Sequence, residues 1–142
     1  MTLLKLLQSK TRCIEEFRRI SKEFLALAAQ GDLSQLTDFE NNRDHLIRAL
    51  QLHDRKISKI VSELPKNERT QDLIQTIENT LAHERILVNE ILTIDRLIID
   101  RIEDAKCNLL KSLNSSRKSR EMVGKFKSKG STGSGEELDR KL

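Results

Sequence analysis

Tryptophan and tyrosine are absent from this chain; phenylalanine occurs four times in 142 residues, proline once and glycine five times. Four of the five glycines follow Met122, so little before that point is built to turn. A β-sheet or a deep ligand pocket fits this composition poorly. Long helices joined by short loops fit it well. Charged residues make up 34% of the chain, above the globular average of about 25%. The apolar residues are mostly Leu and Ile, the material of leucine-rich seams between helices.

Long apolar runs are also missing. The most apolar stretch, 87–102, is interrupted by Asn89, Glu90, Asp95, Arg96, Asp100 and Arg101 and cannot span a bilayer. Met1 to Leu7 is broken by Lys5, and no small-residue cleavage site follows, so a cytoplasmic location is the expectation. Cysteine is scarce: Cys13 lies midway along the first helical pattern and Cys107 near the end of the third. In an up-down-up arrangement those helices run parallel, and the two positions differ in height by roughly 30 Å. A disulfide tolerates a Cα separation of about 7 Å. Neither an internal bridge nor a shared metal site is expected. Most of the chain also lacks a charge bias. Of the net +4, residues 117–129 contribute +5 and residues 130–142 contribute −1, leaving 1–116 neutral. The neutral part is no electrostatic trap for nucleic acid or lipid, so any such role belongs to the tail.

What is present is helical periodicity in three blocks. The first runs from about Thr2 to Ala29 and ends at Gln30-Gly31-Asp32. Its stripe is Cys13, Phe17, Ile20, Phe24 and Leu27, extended by Leu3, Leu6 and Leu7, with an ion pair such as Glu15 to Arg19 on the wet face. Gly31 suits a left-handed C′ position, and Asp32 with Gln35 three residues on suits a capping box. The second block runs from about Leu33 to Leu64 and stops at Pro65. Its seam is Leu36, Phe39, Leu46, Leu50, Ile57, Ile60 and Leu64, interrupted by Arg43 and His53. Asn67 or Thr70 caps the third block, which reaches about Leu113. It carries Ile74, Ile77, Leu81, Val88, Ile91, Ile98, Ile102, Ala105 and Leu109, flanked by Leu73, Leu87, Ile94, Leu97 and Leu110. So wide an apolar face makes it the central helix, with Glu84 and Asp95 near the seam marking register or reaching solvent.

The fold class implied is all-α: an antiparallel three-helix bundle over 1–114 with an overlong third helix. Residues 115–128 form a short, mobile, basic fourth helix, and 129–142 a flexible Gly/Ser-rich tail. The third pattern overshoots its neighbours by roughly 15–20 Å. Apolar surface left without a bundle partner is costly in water, which suggests a surface kept for binding.

Catalytic chemistry has little to work with. His83-Glu84 opens like a zinc-protease HExxH, but position 87 is Leu. His45, His53 and His83 are spread over two helices, and His53 reads as a seam residue, snorkelling or hydrogen-bonded. Asp100, Glu103 and Asp104 sit with Arg96 and Arg101 and read as a solvated ion-paired face, not a metal site. Gly130, Gly133 and Gly135 follow no strand, which argues against a phosphate loop. No catalytic residue, metal or cofactor is expected, and the chain does not read as an enzyme.

A binding face is the better lead. Ile98, Ile102, Ala105, Leu109, Leu110 and Leu113 form a candidate groove for a partner's amphipathic helix. Met122, Val123 and Phe126 form a candidate lid or further contact, and Arg117, Lys118, Arg120, Lys125, Lys127 and Lys129 a basic tail. That tail has one aromatic and no helix-turn-helix beside it, so nucleic acid is a secondary reading. A homodimeric coiled-coil scaffold using the third helix is another.

The layout resembles a known family. Phe24-Leu-Ala-Leu-Ala-Ala-Gln-Gly-Asp-Leu33, with Leu36 and Glu40 beyond, is similar to the helix–turn–helix signature of the FliT/FlgN-like flagellar type III export chaperones. So are His83-Glu84-Arg85-Ile86-Leu87, the long helix after it, and Ser115-Ser116-Arg117-Lys118-Ser119 through Gly124-Lys125-Phe126-Lys127. The resemblance spans about residues 14–128. It implies a cytoplasmic helical chaperone that holds a late flagellar subunit, such as the filament cap or a hook–filament junction protein. Such a chaperone prevents premature assembly and delivers the subunit to the export gate and export ATPase. The family's C-terminal helix can cover the binding surface and often carries a Tyr that engages the gate. Phe126 stands in that place here, without the hydroxyl.

Overall fold

The computed structural model of the chain describes residues 2–130, with side chains for 2–124. Met1, the side chains of Lys125, Phe126, Lys127 and Lys129, and the tail sequence beyond Gly130 lie outside the described residues. Helix α1 spans Leu3–Ala29, α2 Leu36–Glu63 and α3 Gln71–Gly130, with a 3-10 turn at Lys66–Glu68 between the last two. Among the described residues there is no strand, and no helix is long and apolar enough to cross a membrane.

Each boundary has a local cause. The Thr2 hydroxyl accepts from the Lys5 amide at 3.4 Å and caps α1. α1 ends in a Schellman motif: Gly31 has φ +81°, its amide donates to Ala28 and the Asp32 amide to Leu27, both at 3.0 Å. Asp32 does not cap α2 as the sequence pattern predicts. Its carboxylate instead accepts from the Ser34 amide at 2.9 Å and the Ser34 hydroxyl at 2.6 Å, closing an Asx turn, and α2 starts after Gln35. α2 stops because Leu64 precedes Pro65 and is forced to extended backbone, with ψ 124°. The Thr70 hydroxyl accepts from the Leu73 amide at 3.2 Å and opens α3.

Two compact units divide the chain, with the boundary after Ile102. The first, through Ile102, is the three-helix bundle. Lys10 of α1 meets Asp54 of α2 and Glu84 of α3, while Phe24 and Ala28 pack with Phe39 of α2 and with Ile94 and Ile98 of α3. α1 therefore runs antiparallel to α2 and parallel to α3. A second cluster joins Ile14, Phe17, Leu87 and Ile91, with Leu46, Ile47 and Leu50 against it.

The α2 seam lies where its spacing places it: Phe39 is buried and the other seam positions are half-buried. In the other two seams Leu3, Leu6, Leu7, Phe17 and Phe24 of α1 and Ile91 and Ile98 of α3 are buried as expected, while other expected positions move to the flank. In α1 the buried set is Leu3, Leu6, Leu7, Ile14, Phe17, Ser21, Phe24 and Ala28, whereas Cys13, Ile20 and Leu27 are half-buried at its flank. Ser21, fully enclosed, is small enough for the inner position, and its hydroxyl is satisfied by the Phe17 carbonyl at 2.8 Å. In α3 the core is Leu87, Ile91, Ile94 and Ile98, in register with buried Glu84; Ile74, Leu81 and Val88, expected in the seam, are exposed. A face wider than its neighbours can cover leaves one of its edges in water.

The charged residues near the seams mark register. Arg43 makes two hydrogen bonds to Asp95, at 2.7 and 2.8 Å, and its guanidinium lies 5.1 Å from the Phe17 ring centroid. The Glu84 carboxylate is only 5% exposed and takes the Thr11 hydroxyl at 3.1 Å and Lys10 at 3.3 Å; Lys10 also reaches Asp54 at 2.7 Å. On the wet face, Arg19 pairs with Glu16 and with Glu23, not with Glu15.

The separate fourth helix expected at 115–128 is replaced by continuous α3, which runs unbroken to Gly130. Ser112, Asn114, Ser115, Ser116 and Ser119 are weak helix formers, yet none is a breaker, each costing about 0.5 kcal/mol relative to Ala.

This packing makes two predictions about stability. Ile98→Ala costs about 3 kcal/mol in urea unfolding, while Leu113→Ala, at an exposed position, stays within about 0.5 kcal/mol. Lys10 is partly desolvated, which lowers its pKa, but the hydrogen bond to Asp54 and the charges of Glu84 and Asp54 outweigh this and raise it above 10.5. Its contribution is therefore complete below the unfolded lysine value and fades as pH rises through the higher folded one. Lys10→Met loses about 3 kcal/mol at neutral pH by stranding Glu84. That deficit shrinks in alkali above pH 10.5, and adding Glu84→Leu restores stability.

Candidate partner-binding site

The residues of the candidate groove do not share one environment. Ile98 is 4% exposed and belongs to the core with Phe24, Ala28, Phe39 and Ile94, so it is not available to a partner. Ile102 is half-buried against that same cluster. Sequence periodicity could not separate these two from Leu109 and Leu113, because one apolar spacing runs through all four.

The second unit begins at Glu103, and its described part is the remainder of α3. Here Ala105 is half-buried, while Leu109, Leu110 and Leu113 are 62%, 53% and 55% exposed. Leu109 and Leu113 are four residues apart and lie on one side of the helix, with Leu110 beside Leu113. A leucine left this open has yet to gain much of the roughly 1.5–3 kcal/mol that full burial provides.

Met122 and Val123 are also exposed. In the unbroken helix Met122 lies nine residues beyond Leu113, and thus on the opposite side, whereas Val123 returns toward the leucine side. While the helix is unbroken, Met122 and Val123 therefore do not face the leucines together. Arg117, Lys118 and Arg120 are exposed on the same helix and project around it, not along one stripe.

The groups weighed for chemistry stand apart. His45 and His83 are exposed; His83 Nε2 lies 3.9 Å from Glu15. His53 is half-buried in the α2 seam, where its spacing places it, and its Nδ1 is enclosed without a hydrogen-bond partner among the described residues. Asp100, Glu103 and Asp104 are exposed. Among the described residues, no three His, Cys, Asp or Glu side chains gather closely enough to hold a metal ion. Between α1 and α3 runs a groove lined by Gln8, Thr11, Thr76, Asn79, Thr80 and His83, with Arg12 and Glu15 as its charged members.

No protein-family model, curated protein or solved structure matches this chain.

Both cysteines are free, Cys13 half-buried and Cys107 exposed. Burial pushes the Cys13 thiol above its ordinary value, reducing its thiolate fraction. A thiol-reactive chromophore at neutral pH should label Cys107 in a fast phase and Cys13 in a slow one. Cys107→Ser should remove the fast phase alone.

Proposed function

We propose that this chain is a non-catalytic, cytoplasmic chaperone of the flagellar type III export kind, holding the terminal helix of a late flagellar subunit against α3. The observation that carries the reading is the change along one helix. Leu87, Ile91, Ile94 and Ile98 are enclosed by the bundle, while Leu109, Leu110 and Leu113 stand open on the continuation of the same helix. Leucines at helical spacing on a bare helix suit an amphipathic partner, whose apolar face would take them out of water. The identity of that partner rests on the resemblance in the turn after Phe24, in the start of the long helix at His83-Glu84, and in the serine-rich basic segment after Leu113. Subunit, export gate and export ATPase are the partners this reading names.

In the same reading the serine-rich stretch Ser112–Ser119 is a hinge. Its weak helix propensity lets residues 115–128 separate as a short mobile helix and fold back over Leu109 and Leu113. Met122 and Val123 then cover the leucines when no subunit is present.

The test is binding of a purified filament-cap or hook–filament junction subunit, measured by calorimetry. Leu109→Asp and Leu113→Asp should each weaken binding by about tenfold or more while leaving the thermal midpoint unchanged. Loss of binding and of midpoint together would make these residues core. Truncation after Leu113 should tighten binding if the segment is a lid; abolished binding would make it contact surface.

A further inference from the structure

The second unit contains a charge pattern that the first does not. Glu103, Leu110 and Arg117 are spaced by seven residues, so they occupy one heptad position, with the leucine midway between opposite charges. All three side chains are exposed, and among the described residues no ion pair engages Glu103 or Arg117. Leu109 and Leu113 bracket the same point on the adjoining face. Acidic Glu103 and Asp104 begin the unit, and Arg117, Lys118 and Arg120 lie beyond its leucines.

A pattern of this kind is complementary to its own reversal. If two such helices lie antiparallel with a two-fold axis at Leu110, each Leu110 meets its symmetry mate. Each Glu103 then stands level with an Arg117, once on either side of the axis. A parallel pairing would instead set Glu103 against Glu103 and Arg117 against Arg117. Leu109 and Leu113 supply the apolar contact in both cases, so charge alone chooses the direction.

We propose that the occupant of this face in the free protein is a second copy of the chain, paired antiparallel through residues 103–117. The described helix gives a reason for pairing at all: in water most helical stability comes from packing an apolar face, and Leu109, Leu110 and Leu113 stand exposed on it. The self-pair covers Leu109, Leu110 and Leu113, so any partner of that surface competes with dimerisation. The inference does not rest on the export reading, because it concerns the purified chain by itself.

Sedimentation equilibrium of the full chain over a range of concentrations tests it, with helicity monitored by circular dichroism. The wild type should show a monomer–dimer equilibrium. Glu103→Arg and Arg117→Glu should each weaken dimerisation by about tenfold, since each sets like charges together twice per dimer. The double variant Glu103→Arg/Arg117→Glu should recover the wild-type equilibrium, as no merely structural loss would. A chain that is monomeric at every concentration overturns the proposal. So do single variants that dimerise like the wild type, and a double variant that stays monomeric while fully helical.

Discussion

Arg43 is the point where the three helices of the bundle are tied together. Its guanidinium grips Asp95 of α3 through two hydrogen bonds while lying over the Phe17 ring of α1. Leucine and isoleucine seams tolerate slippage by a heptad, because one apolar layer resembles the next. A planar cation that needs a carboxylate on one neighbour and an aromatic face on the other does not. Glu84, enclosed and served by Lys10 and Thr11, repeats the constraint nearer the other end of α1. These charged contacts are met in one register only, the one in which the clusters around Phe17 and Phe24 form.

This division of labour explains what could be read in the sequence. The α2 seam is legible because its apolar residues recur at strict three-and-four spacing, broken only by Arg43 and His53. In α1 the true inner positions include Ser21 and Ala28, residues whose smallness admits a close neighbour but whose apolar signal is absent or weak. Periodicity therefore favours Ile20 and Leu27 at the flank. In α3 the core register passes through Glu84, a carboxylate that periodicity assigns to solvent until its partners on another helix are known. The turn at Asp32 misleads for a related reason. Its carboxylate has two donors within reach in Ser34, and that local bond wins over the amides of the helix to come.

The candidate face was legible in part. Spacing finds Ile98, Ile102, Leu109 and Leu113 together, because they share a stripe. It cannot say that α1 and α2 enclose the first, shade the second and leave the leucines open. Continuity of α3 past Leu113 was hidden by serines that discourage a helix without ending one. Among the described residues no glycine or proline interrupts α3 before Gly124.

The turn between α1 and α2 imposes a demand of another kind. Gly31 adopts φ +81°, and a Cβ built on it would meet nothing within 4 Å. Space is therefore not what requires glycine. The requirement is one of handedness: φ +81° is a backbone conformation that L side chains rarely adopt and that glycine takes at no steric cost. D-alanine, the mirror image of L-alanine, favours positive φ and would remove freedom from the unfolded chain. Ribosomal synthesis supplies only the L series, so glycine, the one achiral residue, is what the genetic code offers to a turn that selects on chirality.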